Sequence, residues 1–263
     1  MDEVFQTRLP VAPWADPATR RLPGIQPLDP ADWLEVDEAY AGQMALRDRL
    51  IAGREAEVHA LLPGAAAAAA ELYGRVLAEL PGLGFRLAEG RARRPDGVTV
   101  ALDPARPLVT LGRLCQEDFC LMQPGAAGEH LLTGAILCFP AGWVLAEKIG
   151  RPLLRIHRPV AAYTPDIGRR VQRLFDAIRP DRPLWRANAH HSRAPLFHPV
   201  PEAREKTPGV ASMPYVRAER QCLLRLPGTG AVVFSIHTYR VRKSDLTEAQ
   251  ARGFAAQPIH GRD

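Results

Sequence analysis

Gln221-Cys222-Leu223-Leu224-Arg225-Leu226-Pro227-Gly228-Thr229-Gly230-Ala231-Val232-Val233-Phe234-Ser235-Ile236-His237-Thr238-Tyr239 reads as two β-strands joined by a tight turn. Apolar residues dominate both arms, and Pro227, Gly228 and Gly230 interrupt them where a chain reversal needs special backbone angles. A short turn can join only antiparallel neighbours, so this stretch decides the sheet type. Along the second arm Ser235, His237 and Tyr239 share one face. That face either lines a pocket or meets solvent.

Upstream, further short β-type runs occur at residues 98–102, 108–111, 119–122 and 131–139. Gly125 to Gly128 supply the turn between the last two. Residues 188–212 are polar and rich in His and Pro, and read as a long loop. Helical patterns precede the strands. Asp29-Pro30 is a capping side chain followed by proline at a first helical position. From Asp37 the residues Tyr40, Met44, Leu50 and Ile51 recur at helical spacing as far as Gly53. A second helix is expected over 54–61, and a third from Pro63 through the six alanines at 65–70 to Pro81-Gly82. Short helices are also expected at 140–148, after Asp166, and from Thr247. Helices first and then a strand-rich half, with two helices interspersed, imply an α+β fold: an antiparallel sheet flanked by helices, with an N-terminal helical segment. Residues 1–28 read as an extended, proline-punctuated arm laid on the body of the protein, because Leu9, Trp14 and Ile25 are too apolar for a solvated tail. Residues 29–263 read as a single domain.

Hydrophobic residues make up 46% of the 263 and charged residues 24%, an ordinary globular balance. Met1-Asp2-Glu3 is acidic where a secretory leader needs positive charge. No window approaches the apolar length of a membrane span. The expected location is the cytoplasm, with no membrane partner. The net charge of +5 comes from 31 Arg and only 3 Lys scattered along the chain. Nucleic-acid binders cluster such charge, so no nucleic-acid partner is expected. Arg91 to Arg94 and Arg240 to Lys243 are the densest groups and read as solvated faces. Cys115, Cys120, Cys138 and Cys222 lack the paired spacing of a zinc or iron–sulfur site and read as reduced core thiols.

The chemistry-bearing candidates are few. His157 stands in Leu153-Leu154-Arg155-Ile156-His157-Arg158-Pro159-Val160, where Pro159 biases Arg158 toward extended backbone and argues for a stiff, non-helical connection. An imidazole held this way can offer one nitrogen to a metal while the other donates to a carbonyl. An ordinary structural histidine satisfies the same local pattern. His190, His191 and His198 form a second group, without accompanying ligands at metal spacing. Gln116-Glu117-Asp118 is an acidic cluster before a strand that could serve a polar pocket. No nucleophile elbow and no complete dinucleotide fingerprint occur.

Several blocks recur in a telling order: Gln116-Glu117-Asp118-Phe119-Cys120-Leu121-Met122, Thr133-Gly134-Ala135-Ile136-Leu137-Cys138-Phe139-Pro140, Trp143-Val144-Leu145-Ala146-Glu147-Lys148-Ile149-Gly150, and Ile156-His157-Arg158-Pro159-Val160. They are followed by Leu184-Trp185-Arg186-Ala187-Asn188, Glu219-Arg220-Gln221-Cys222-Leu223-Leu224-Arg225-Leu226-Pro227, and Phe234-Ser235-Ile236-His237-Thr238-Tyr239. Across about residues 25–245 this resembles the haem-dependent oxidative N-demethylase α-subunit family. The resemblance implies a PAS-like sheet carrying haem b, with a histidine as iron ligand, for which His157 is the position to carry over. It implies oxidative removal of a methyl group from a small amine, with dioxygen and with electrons from NADPH. No flavin or iron–sulfur motif is present, so the electrons are expected from separate reductase subunits. Under this reading Trp185, Arg186 and Arg220 are candidates for cofactor binding, the arginines pairing with propionates. Asp118 and His237 are candidates for orienting substrate or delivering protons. The loop residues His190 and His191 depart from the family's composition at that point. A haem or small-ligand sensor on the same PAS-like sheet, without catalysis, is the rival reading.

Overall fold

The computed structural model of the protein describes residues 4–20, 24–126, 128–157, 165–202, 213–256 and 259. The hairpin is its longest paired feature. Strand β9 (Tyr215–Arg225) and strand β10 (Val232–Arg242) pair antiparallel in unbroken register, Val232 opposite Arg225 and Arg242 opposite Tyr215. Gly230 takes φ +71° in the turn, a conformation only glycine adopts without strain. Glu71 closes the turn from outside, accepting from Gly228 N at 2.6 Å and Thr229 N at 2.7 Å.

The pair sits inside a seven-stranded antiparallel sheet with the order β1-β8-β9-β10-β6-β7-β2. Its other members are β1 (Gln26–Pro27), β2 (His59–Leu61), β6 (Asp118–Pro124), β7 (His130–Ile136) and β8 (Leu184–Ser192). A small sheet, β3 (Arg86–Ala88), β4 (Arg91–Arg93) and β5 (Thr99–Ala101), flanks it. The helices are α1 (Tyr40–Val58), α2 (Ala66–Glu79), α3 (Pro107–Gly112), α4 (Leu145–Lys148), α5 (Leu153–Ile156), α6 (Pro165–Ala177) and α7 (Glu248–Ala256). The fold is α+β. No helix among the described residues is long and apolar enough to cross a membrane.

Helices α1, α2 and α3 cover one face of the large sheet, where Met44, Leu72 and Leu108 pack with Phe119, Leu121, Cys222 and Val233. Helices α4, α5 and α6 cover the other face, where Leu145, Leu153, Ile156 and Phe175 meet Leu132, Leu223 and Ile236. Burying each such Leu or Ile contributes roughly 1.5–3 kcal/mol, so both layers are held mainly by apolar area. At one end of the first face the N-terminal arm and α7 close over the sheet: Leu9 and Trp14 are buried with Val216, Ala218 and Tyr239. All four cysteines are buried free thiols.

Several local expectations change. The run 108–111 is helix, not strand: Pro107 occupies the first turn of α3, and a four-residue apolar run fits either state. Its end, Gly112, lies so close to β7 that an added Cβ would fall 2.5 Å from Ile136 Cγ1. Tyr40–Val58 forms one helix bent at Arg54 (φ −141°, ψ 34°), followed by β2, instead of two helices. In 140–148 only Leu145–Lys148 is helical. The expected loop 188–212 begins instead as β8, whose polar residues are paired with β9 through Ser192; residues 203–212 lie outside the described residues. Leu153–Ile156 makes one helical turn with His157 as its C-cap, not a non-helical connection, and Arg158, Pro159 and Val160 lie outside the described residues. Arg94 is buried, bonded to Asp96 and Asp48, where a solvated face was expected.

Candidate functional site

Register across β8, β9 and β10 is continuous, so alternate residues divide cleanly between the two sheet faces. The α1–α3 face carries Trp185, Arg220, Cys222, Ser235, His237 and Tyr239. The α4–α6 face carries Leu184, Arg186, Asn188, His190, Arg217, Glu219, Gln221, Leu223, Ile236 and Thr238. Hydrophobic partners agree with this division, Trp185 and Cys222 packing in the first layer and Leu184, Leu223 and Ile236 in the second. Asp118 is directly opposite Ile236, but at the sheet's end its carboxylate is held by Arg47 of α1 and by the 138–139 backbone. The six predicted site residues therefore separate. His157 and Arg186 belong to one side of the sheet, and Trp185, Arg220 and His237 to the other; Asp118, at the start of β6, is bonded to Arg47 of α1.

On the α1–α3 face His237 is buried between two carboxylates, Nδ1 3.0 Å from Glu117 Oε1 and Nε2 3.2 Å from Asp37 Oδ2. Carboxylates accept, so both ring nitrogens donate and the ring is an imidazolium. Burial works against that charge, but the hydrogen bonds to Asp37 and Glu117 outweigh it and push the pKa up to about 10. Asp37 moves the other way: burial raises it, yet His237, Gln116 and Gln6 bring it down to about 2. Arg220 pairs with Glu35 at 3.0 Å, donates to the carbonyls of Asp32 and Trp33, and lies 5.9 Å from the Trp185 ring centroid. Tyr239 donates to Glu35, and Trp33 Nε1 donates to Ser235 Oγ at 2.9 Å. The whole network fastens residues 33–38 to the sheet. The solvent-exposed alternative for Ser235, His237 and Tyr239 is excluded, since all three are buried.

Asp118 is also buried. Arg47 of α1 donates to Oδ1 at 2.7 Å, Cys138 N donates to the same oxygen at 2.7 Å, and Phe139 N donates to Oδ2 at 2.8 Å. Arg47 additionally donates to the carbonyls of Gly112, Gln116 and Glu117. A charged pair this deep is tolerated because nearly every donor is used. Its effect is to lock the end of β7 and the 116–118 segment against α1. Arg47 is a residue that sequence reasoning passed over; the one signal was a charge inside an apolar helical stripe.

On the opposite side, His157 ends α5. Its Nδ1 lies 2.9 Å from Leu153 O, the carbonyl four residues back. A carbonyl cannot donate, so Nδ1 carries the proton and Nε2 keeps the ring's lone pair in the neutral form. Trp143 meets the ring edge-on at 5.8 Å between centroids. The turn carrying His157 is anchored by Lys148, which donates to Ile156 O at 3.1 Å and pairs with Glu202. Arg155 pairs with the same carboxylate at 2.9 Å, and the two cations hold Glu202 down at about 2.

The sheet surface on this side is unusual for a packed face. In register across β8, β9 and β10 it presents Arg186, Gln221 and Ile236, then Asn188, Glu219 and Thr238, then His190, Arg217 and Arg240. Eight of these nine are polar, and His190, Arg217, Glu219, Gln221, Thr238 and Arg240 are buried. Arg217 donates to Leu196 O, Phe139 O and Thr238 Oγ1, and its Nε lies 3.3 Å from Glu219 Oε1. Gln221 Nε2 donates to Glu219 Oε2 at 2.9 Å. The Asn188 Oδ1 atom is buried without a hydrogen-bond partner. Buried polar groups are nearly always satisfied, so an orphan acceptor marks a place where a donor belongs. Sequence reading missed Asn188, Arg217 and Glu219, although the alternation Arg186-Ala187-Asn188-Ala189-His190 was a strand signal. His190 and His191, consecutive on β8, face opposite ways; His191 packs on Phe254 of α7 at 4.9 Å. No group of three or more His, Cys, Asp or Glu among the described residues is placed to hold a metal ion by itself.

These features define an α+β protein whose antiparallel sheet carries rows of buried polar side chains on one face, with the helical turn that ends in His157 packed on the same side of the sheet. Over residues 24–260 the chain matches the family described as haem-dependent oxidative N-demethylase, alpha subunit-like, and it belongs to that family.

Proposed function

We propose that this chain is the haem-carrying subunit of an oxidative N-demethylase, in which His157 would hold the iron. The observation that carries the reading is the His157 Nδ1 contact with Leu153 O. That hydrogen bond supports the tautomer protonated on Nδ1, in which Nε2 would be the atom to meet a metal, the arrangement histidine ligands ordinarily use. Two further observations support a haem b group: Arg186 lies on the same side of the sheet and suits a propionate, and apolar Leu153, Ile156, Leu223 and Ile236 are close by to exclude water. Trp185 and Arg220 are left out of this pocket, because they belong to the other face and Arg220 is already paired with Glu35.

When bound, the haem would supply activation of dioxygen for oxidation of an N-methyl group. The chain's own part is to hold the iron through His157, to orient a small methylated amine on the polar sheet surface, and to keep the pocket dry. Asp118 and His237 act as positioning residues in this scheme, the first by locking the start of β6 and the second by fastening residues 33–38. Electrons would arrive from NADPH through separate flavin or iron–sulfur subunits, as an α-subunit implies.

Reconstitution with haemin tests the ligand. The wild-type protein should develop a Soret band, and His157→Ala should lose or shift it. An unchanged spectrum in the variant removes His157 from the account. Haem binding without amine-dependent oxygen uptake, in the presence of a competent reductase, would favour the sensor reading instead.

A further inference from the structure

We infer that Arg86 and Arg93 form a phosphate-binding site on the three-stranded sheet, in the hollow between the turns at Gly84 and Gly97. The hollow is open, has a volume of about 490 Å³ and is lined by Gly84, Arg86, Arg93, Arg94, Pro95 and Gly97. Arg86 of β3 and Arg93 of β4 are directly opposed in register, so their side chains leave the same face with Cβ atoms about 5 Å apart. Both are exposed, and among the described residues neither guanidinium has an ion-pair or hydrogen-bond partner. Like charges set opposite one another destabilise a sheet, and an oxyanion shared between them removes that penalty.

The third arginine of the hollow is used differently. Arg94 is buried, and Asp96 and Asp48 take up its guanidinium at 2.7 and 2.9 Å. Asp96 Oδ1 also accepts from Val98 N at 3.1 Å, so this carboxylate is already engaged. These bonds hold the 94–97 turn, in which Gly97 takes φ +87°, a left-handed conformation that suits glycine. A Cβ at Gly97 would lie 4.0 Å from Arg93 Nη2, which places that guanidinium beside the turn. A single tetrahedral dianion presents enough oxygens for two guanidinium forks, whereas one carboxylate has two oxygens and satisfies one fork. Arg91 supplies the contrast. It is exposed on the same sheet face, but it stands opposite Ala88 and Ala101 and outside the hollow, so it adds charge without a second fork.

Calorimetric titration of the full chain at low salt tests the site, with inorganic phosphate, adenosine monophosphate and succinate as probes. Wild type should bind a phosphate probe and take succinate roughly fivefold more weakly or worse. Arg86→Gln and Arg93→Gln should each weaken phosphate by roughly fivefold or more, whereas Arg91→Gln should weaken it less than about twofold. All three side chains are exposed, so the thermal midpoint should hold in each variant. A nucleotide that binds more tightly than free phosphate makes a phosphate ester the occupant, and equal or weaker nucleotide affinity makes it free phosphate; either result keeps the site. Equal losses in all three variants would reveal a diffuse basic surface and overturn the assignment. Succinate as tight as phosphate, or a wild type that takes up neither phosphate probe, overturns it too.

Discussion

At the residue scale, the most consequential group outside the proposed pocket is the His237 imidazolium. Its folded pKa of about 10 stands above the ordinary histidine value of 6.5, so the proton is bound more tightly in the folded state. The stability it contributes is complete below about pH 6.5 and is lost as pH rises toward 10. Asp37, held near 2 against an ordinary 3.8, behaves oppositely: its contribution is present above about pH 4 and is lost as pH falls toward 2. Urea unfolding from pH 3 to pH 10 should therefore show greatest stability from about pH 4 to 6.5. In His237→Gln the decline between pH 6.5 and 10 should flatten, and the variant should be less stable by about 3–5 kcal/mol at pH 6, because two carboxylates lose their cation. An alkaline limb as steep in the variant as in wild type would contradict this account. A ring held as imidazolium to about pH 10 is no general base near neutrality, which is why a fastening role suits it.

At the element scale, the two layers are set by how closely helices approach strands. Helix α3 rests on β7 through Gly112, where an added methyl would meet Ile136 Cγ1 at 2.5 Å and Ile51 Cδ1 at 3.1 Å. Gly112→Ala should cost roughly 1–3 kcal/mol by overpacking, read as a lower urea midpoint. The hairpin turn has a different dependence. Glu71 of α2 accepts from Gly228 N, Thr229 N and Thr229 Oγ1, the last at 2.6 Å. Glu71→Ala should destabilise by about 1–2 kcal/mol and speed amide exchange at Thr229, since these bonds are partly exposed to water. The helix α3 also shows why local patterning misleads. Leu108-Val109-Thr110-Leu111 has the composition of a strand, and only its packing between α1, α2 and β7 makes it helix.

At the scale of the whole molecule, the chain wraps its sheet from both ends. Trp14 of the N-terminal arm donates from Nε1 to Gln250 O at 2.8 Å and stacks on Phe254 at 4.7 Å, while Gln250 Nε2 donates back to Leu9 O at 2.8 Å. Arm and α7 thus stabilise each other over Val216, Ala218 and Tyr239. Trp14→Ala should raise hydrogen exchange in both the arm and α7 together and leave the β9–β10 core protected. Exchange confined to the arm would mean that the two segments are independent. The sheet itself divides the molecule's work. Its α1–α3 face is an ion-paired and apolar anchor, and its α4–α6 face carries the polar rows of β8, β9 and β10.

What the amino-acid order determined alone was whatever depends on near neighbours. The glycine turn at 227–230, the alternation in both hairpin arms, the Asp29-Pro30 start and the helical stripe from Tyr40 are all short-range signals, and the α+β class follows from their order. His157 stood out for the same reason, as an imidazole two residues before a proline, after the apolar run Leu153-Leu154 and Ile156. Which residues share its side of the sheet was settled only in three dimensions. Trp185 and Arg186 are neighbours in sequence, as are Arg220 and Gln221, yet the strand period of two sends the members of each pair to opposite faces. Asn188 and Glu219 lie far apart in the chain and meet only because β8 continues through residues that looked like loop. Pairing between distant strands sets that meeting, and no local pattern encodes it.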